Sequence, residues 1–242
     1  MVLINATAAT EGGALTVLKQ LLLNSPSSLT LIVFTSVNFD ELPILAQVKY
    51  INPNAKSGLK RLYWDNFGLN KWCKANHVKP DLIISMQNTG VKIDGDVKQL
   101  IYYHQLIPLY PYSWNLFKKS ERNLWLYKNI YPFFVKQHIS ESTIFVVQFE
   151  WIRQKLAKRL ALDPQIIHTV NPTASEINYT AVSDIELAGK FNIFYPATYF
   201  NYKNHIEIVK LLLNEGANID KQNKSGDTAL ILATSSATGC LP

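Results

Sequence analysis

Cysteine is scarce in this 242-residue chain: Cys73 and Cys240 are the only two, with no CxxC spacing and no histidine obviously paired with them. That argues against a zinc site and against a disulfide-framed secreted domain, and points to a reducing compartment. No apolar run approaches the ~20 residues needed to cross a bilayer, and the N-terminus MVLINATAAT lacks the basic region and apolar core of a secretory leader. Long Gly, Ser or Pro tracts are missing, which excludes a low-complexity or disordered chain. A full GxGxxG is missing too, so a nicotinamide cofactor is not indicated, and no cofactor or metal is expected. The expected location is the cytoplasm.

Apolar residues make up 48% of the chain and charged residues 17%, enough to bury a sizeable core. The net charge of +6 comes from lysines spread through NPNAKSGLKR, LFKKSERN and RQKLAKR and not from one basic block. Such a surface suits a phosphate-bearing substrate or peripheral contact with an anionic inner membrane face. No nucleic-acid recognition motif accompanies it, so nucleic acid is not expected as a partner.

Short Val- and Ile-rich runs recur between amphipathic stretches, at 2–6, 29–34, 48–51, 81–85, 99–104, 143–148 and 165–170. Continuous apolar strands separated by helix-length segments predict an α/β fold: a Rossmann-like parallel sheet with helical crossovers. Helices are expected over 13–23, 59–76, 114–131 and 150–162. In the last, Ile152, Leu156 and Leu160 form a stripe while Arg153, Lys155, Lys158 and Arg159 lie largely outside it. That pattern fits a solvated face or a membrane-surface or acidic-partner contact. The organisation expected is a Rossmann-like domain over 1–172, a linker and first strand of a second region over 173–203, and a helical tail over 204–242.

Ligands of open α/β sheets sit outside the carboxyl ends of the strands, which selects four places. Gly12-Gly13 follow the first strand and open a helix, where unpaired N–H groups and the helix dipole favour an anion; the same pair also makes a tight turn. His104 closes a strand ahead of a loop with Pro108 and Pro111, either as a reactive-centre imidazole or as a histidine satisfied by its own loop. Gln148 ends another strand just before Glu150, a residue that helix capping explains. Lys203 in FYPATYFNYKNH follows a strand and could neutralise a phosphate.

Taken in order, INATAATEGGALTVLKQLL, DLIISMQNTG, LIYYHQLIPLYPYSW, FVVQFEWIRQKLAKRLALDPQIIHTVNPT and FNIFYPATYFNYKNH resemble the family 4 glycosyltransferases over about residues 1 to 205. These are retaining enzymes of the GT-B fold that move a sugar from a nucleotide donor to an acceptor. The resemblance implies a nucleotide-sugar donor and a glycan or lipid-linked acceptor. Gly12 and Gly13 match the glycine-rich loop near donor phosphate and acceptor, His104 the histidine near the reacting sugar, and Lys203 the lysine on the donor pyrophosphate. The arginine that often precedes that lysine is missing.

The family's second Rossmann-like domain has no counterpart after Lys203. Instead HIEIVKLLLNEGANIDKQNKSGDTALILA resembles the second helix, the turn at Gly216-Ala217-Asn218 and the finger of an ankyrin repeat, over about 204–237. Glu207 and Glu215 stand eight apart, as a glutamate pair of the enzyme family does, but without the Phe-Gly between them, and are read as helix residues. The sequence therefore predicts a glycosyltransferase first half, truncated and joined near Asn204 to an ankyrin-like tail, with little or no activity alone. The alternative is a non-catalytic binding protein that uses its α/β cleft or docks its tail on an ankyrin-type protein partner.

Overall fold

The structure is a computed structural model; it describes residues 1–171 together with Ile208, Lys210, Leu211 and 214–216. The chain divides into two compact units, Met1–Ser175 and Glu176–Pro242.

The first unit is built on seven parallel strands in the order β3-β2-β1-β4-β5-β6-β7. These are β1 (Val2–Ala6), β2 (Leu31–Thr35), β3 (Val48–Ile51), β4 (Leu82–Ser85), β5 (Lys98–Tyr102), β6 (Thr143–Val147) and β7 (Ile167–Thr169). Every strand falls within or beside a predicted apolar run. The order reverses at β1, which pairs Val2 with Leu31 of β2 on one side and with Leu82 of β4 on the other. A crevice at the carboxyl ends of β1 and β4 is the ligand position that such a reversal creates.

The helices are α1 (Gly12–Leu23), α2 (Gly58–Tyr63), α3 (Leu69–Ala75), α4 (Arg122–Asn129), α5 (Tyr131–Lys136) and α6 (Glu150–Leu160). On one face of the sheet Ile4, Leu31 and Val33 pack with Leu18 and Leu22 of α1. On the other, Leu3, Ile32 and Ile83 pack with Trp64, Leu69 and Cys73. Further along that second face Ile101, Phe145 and Val147 meet Val135 of α5 and Ile152, Leu156 and Leu160 of α6. The predicted stripe of α6 thus faces the core. Burial follows this layering: β1 and β2 are buried at all five positions, whereas β6 alternates between buried and half-buried. A strand covered on both faces has no polar side to show; a strand covered chiefly on one face does.

Two helix expectations are corrected. The single long helix over 114–131 does not form: α4 starts only at Arg122 and α5 follows at Tyr131. The Asn115 side chain accepts from the Phe117 N–H at 2.9 Å and Glu121 accepts from the Asn115 N–H at 2.9 Å, so local side-chain bonds replace a helical turn. Pro132, which has no N–H to give, stands in the first turn of α5. The stretch predicted as one helix over 59–76 is α2 and α3 joined by a π-helical turn over Trp64–Gly68. α6 ends at Leu160 because Ala161 adopts a left-handed conformation, φ 51°.

The β4–β5 connection contains no helix. Gln99 fixes it instead, with Nε2 donating to the Val91 carbonyl and Oε1 accepting from the Val91 N–H, both at 2.9 Å. Of the second unit, Ile208, Lys210, Leu211 and Asn214 are helical, and Gly216 takes φ 78° in the turn that follows. A positive-φ glycine just past a helix is an economical way to end it. Among the described residues no helix is long and apolar enough to cross a membrane.

Candidate functional site at the carboxyl ends of the strands

Gly12 and Gly13 stand at the start of α1, both exposed. Gly12 has φ 58°, and a Cβ at either position would meet nothing within 4 Å, so the backbone here is open to a ligand. The preceding Glu11 makes no side-chain cap. Leading N–H groups without a side-chain cap, under the positive end of a twelve-residue helix, form a surface that favours anions.

His104 lies just beyond β5, half-buried. Its backbone N–H donates to Asn88 Oδ1 at 2.6 Å, and the Gln105 N–H donates to the same oxygen at 2.9 Å. Asn88 has φ 67°, so one asparagine in a left-handed conformation ties the loop after β4 to the loop after β5. Nδ1 of His104 is enclosed with no partner in hydrogen-bond geometry. Burial holds the imidazole below its usual pKa, an effect partly offset by the Tyr102 carbonyl. The ring is neutral at neutral pH, and it lies 5.4 Å from the Tyr102 ring. Gln148, just past β6, donates from Nε2 to the Tyr102 hydroxyl at 2.5 Å. Tyr102 therefore brings Gln148 and His104 into one cluster. Lys203 lies outside the described residues. Glu150 opens α6 and pairs with Arg153 at 3.1 Å, which lowers its carboxyl pKa.

Sequence reasoning missed Asp65. Its carboxylate accepts from Asn5 Nδ2 at 2.8 Å, Gln87 Nε2 at 3.1 Å and Thr89 Oγ1 at 3.4 Å. Trp64 Nε1 donates to Asn5 Oδ1 at 3.2 Å, and Thr7 Oγ1 to Gln87 Oε1 at 2.8 Å. The network thus joins the ends of β1 and β4 to the π-helical turn. Burial pushes the Asp65 carboxyl up to about 7, against the pull of the bonds from Asn5, Thr89 and Gln87 and of the Arg61 charge. One signal existed: Asp65 shares a spacing of four with Leu69 and Cys73, so an acid occupies a core-facing stripe.

Among the described residues a cavity lies near each end of the sheet. One of about 550 Å³, lined by Cys73, Lys74, His77, Pro80 and Val97 among others, opens before β4 and β5 begin, away from the switch point. The other, of about 370 Å³, lies between the loop after β5 and the first turns of α6. Among the described residues no group of three or more His, Cys, Asp or Glu side chains is placed to hold a metal.

The first unit is thus an α/β domain with an all-parallel sheet whose open backbone and polar cluster sit at the carboxyl ends of its strands. A family model for ankyrin repeats matches residues 197–237, wholly within the second unit. Comparison with curated proteins gives no match.

Proposed function

We propose that the α/β unit is the GT-B-type N-terminal domain of a retaining hexosyltransferase that takes a nucleotide-sugar donor and a glycan or lipid-linked acceptor. The observation that carries the reading is the start of α1: Gly12 at φ 58°, open space over both glycines and no side-chain cap, next to the strand-order reversal. There the N–H groups hold phosphate. The neutral His104 ring, at the end of β5, stands beside the reacting sugar, and Gln148 sets the edge of the cleft through Tyr102. Lys203 takes the donor pyrophosphate. Stabilising the departing diphosphate is the main catalytic contribution in this reading.

Titration calorimetry of the full chain with nucleoside diphosphates and nucleotide sugars tests it. A salt-sensitive binding heat is expected for at least one of them, weakened at least tenfold in Gly13→Asp. That substitution places a carboxylate where the α1 dipole favours it, so the helix is strengthened while a phosphate is repelled. Undiminished binding by the variant, or no binding of any nucleotide by the parent, rejects the proposal.

The ankyrin-repeat match at 197–237 favours a second reading, in which the tail binds a protein. Stacked repeats bury one another, and about three are needed for a stable array. The partner would then carry repeats of its own. Complex formation with a consensus ankyrin array, lost on removing 197–237, would support this reading; no complex would reject it.

A further inference from the structure

The cavity of about 370 Å³ beside α6 has walls of an unusual kind. Leu106, Leu109, Tyr110, Tyr112 and Trp151 surround it, and Lys155 is the single charged side chain in its lining. No Asp, Glu, Asn or Gln lines it. A pocket that reads sugar hydroxyls needs such convergent polar groups to fix orientation; this one offers apolar surface and one cation.

The walls are exposed yet held in place. Tyr112 is 67% and Trp151 44% exposed. Lys128 Nζ donates to the carbonyls of both Tyr110 and Tyr112, and Arg159 donates to the Lys128 carbonyl at 2.7 Å. Lys155 Nζ sits 5.4 Å from the Trp151 ring centre, at the rim. An open aromatic slot whose loop backbone is held by Lys128, itself braced by Arg159, is ordered before the ligand arrives, which limits the ordering cost of binding. Its position is also informative: Leu106 is two residues from His104 and Trp151 three from Gln148.

The geometry points to a lipid-acceptor subsite: the slot takes the alkyl chain of a single-chain lipid phosphate, and Lys155 pairs with the phosphate. The assignment rests on the transferase reading only in calling this ligand an acceptor; the binding itself does not depend on it. Within the choice between glycan and lipid-linked acceptors, the lining selects the lipid-linked class.

The test is calorimetric titration of the full chain with hexyl, octyl and decyl phosphate, each below its micelle concentration. Burying a methylene is worth ~0.8 kcal/mol, so each one added tightens binding about fourfold until the slot is filled. Tyr112→Ala and Trp151→Ala flatten that dependence, and Lys155→Gln weakens every alkyl phosphate by a similar factor while leaving the chain-length slope. Tyr112 is exposed enough to be removed without disturbing the core, and circular dichroism confirms that the variants fold. Affinity independent of chain length overturns the assignment, since that is phosphate on surface lysines alone. So do stronger binding of methyl glycosides than of decyl phosphate, adsorption to phosphatidylglycerol vesicles without binding of the monomer, and no binding at all. If alkyl phosphates bind while every nucleotide and nucleotide sugar fails, the slot stands and the transferase reading falls.

Discussion

The two ends of the sheet differ in kind. The amino-terminal end borders the cavity of about 550 Å³, and its polar groups pair off in separate contacts: Gln99 is used up by Val91, Thr143 Oγ1 accepts from the Ser140 N–H, and Lys74 pairs with Asp94 at the surface. At the carboxyl end, buried Asn5, Thr7, Asp65, Gln87 and Asn88 link β1, the π-helical turn and the loops after β4 and β5. The connected buried polar chemistry therefore gathers at the carboxyl end. Burying polar groups costs free energy unless every one is paired, so a dense network signals a position where precise placement matters more than stability.

The sharpest way to break this comparison is to titrate Asp65. Its folded pKa of about 7 lies above the ordinary carboxylate value, so between about pH 4 and 7 the folded state holds a proton that the unfolded state has lost. Stability attributable to this group is therefore fully present below pH 4 and is lost as pH rises to 7, with a total on the order of 4 kcal/mol. Urea denaturation at pH 5 and pH 8 should show the fall, and Asp65→Asn should remove this component. An Asp65→Ala variant should lose about 3 kcal/mol at pH 5, since three donors are left without an acceptor. A parent and an Asn variant with the same pH profile would mean that the network is ordinary packing.

A smaller effect is expected at Gly68, in the same π-helical turn. A Cβ there would come within 2.5 Å of Trp64 Cε3, so Gly68→Ala must displace the indole that donates to Asn5. The expected loss is about 1–3 kcal/mol, with a shift in tryptophan emission, measured by thermal melting and fluorescence. The smallest effect belongs to the other end. Lys74 and Asp94 are 65% and 57% exposed, so Lys74→Gln should change stability by less than about 1 kcal/mol and leave nucleotide and alkyl phosphate binding untouched. A loss of binding there would move the site to the amino-terminal cavity.

The sheet was legible because its strands are short apolar runs set apart by longer segments, and the position of His104, Gln148 and the glycine pair past the carboxyl ends of strands was legible because each follows such a run. The segment over 114–121 was not: its aromatics resemble a buried helix face, whereas Asn115 and Glu121 bond the backbone locally. Asp65 and Asn88 were hidden for another reason. Their partners come from distant strands, Asn5 across sixty residues and His104 across sixteen, and no local pattern records such pairings. The aromatic slot likewise needs the loop after β5 and α6 side by side before it exists.

Asn88 has one more consequence. Because a single side-chain oxygen receives both the His104 and the Gln105 N–H, two consecutive peptides share one anchor. The backbone at His104 is thereby indexed to the loop after β4 and not to its own loop alone. Exchanging the segment 105–112 to alter what the protein accepts should leave the histidine where it stands, as long as that asparagine is kept.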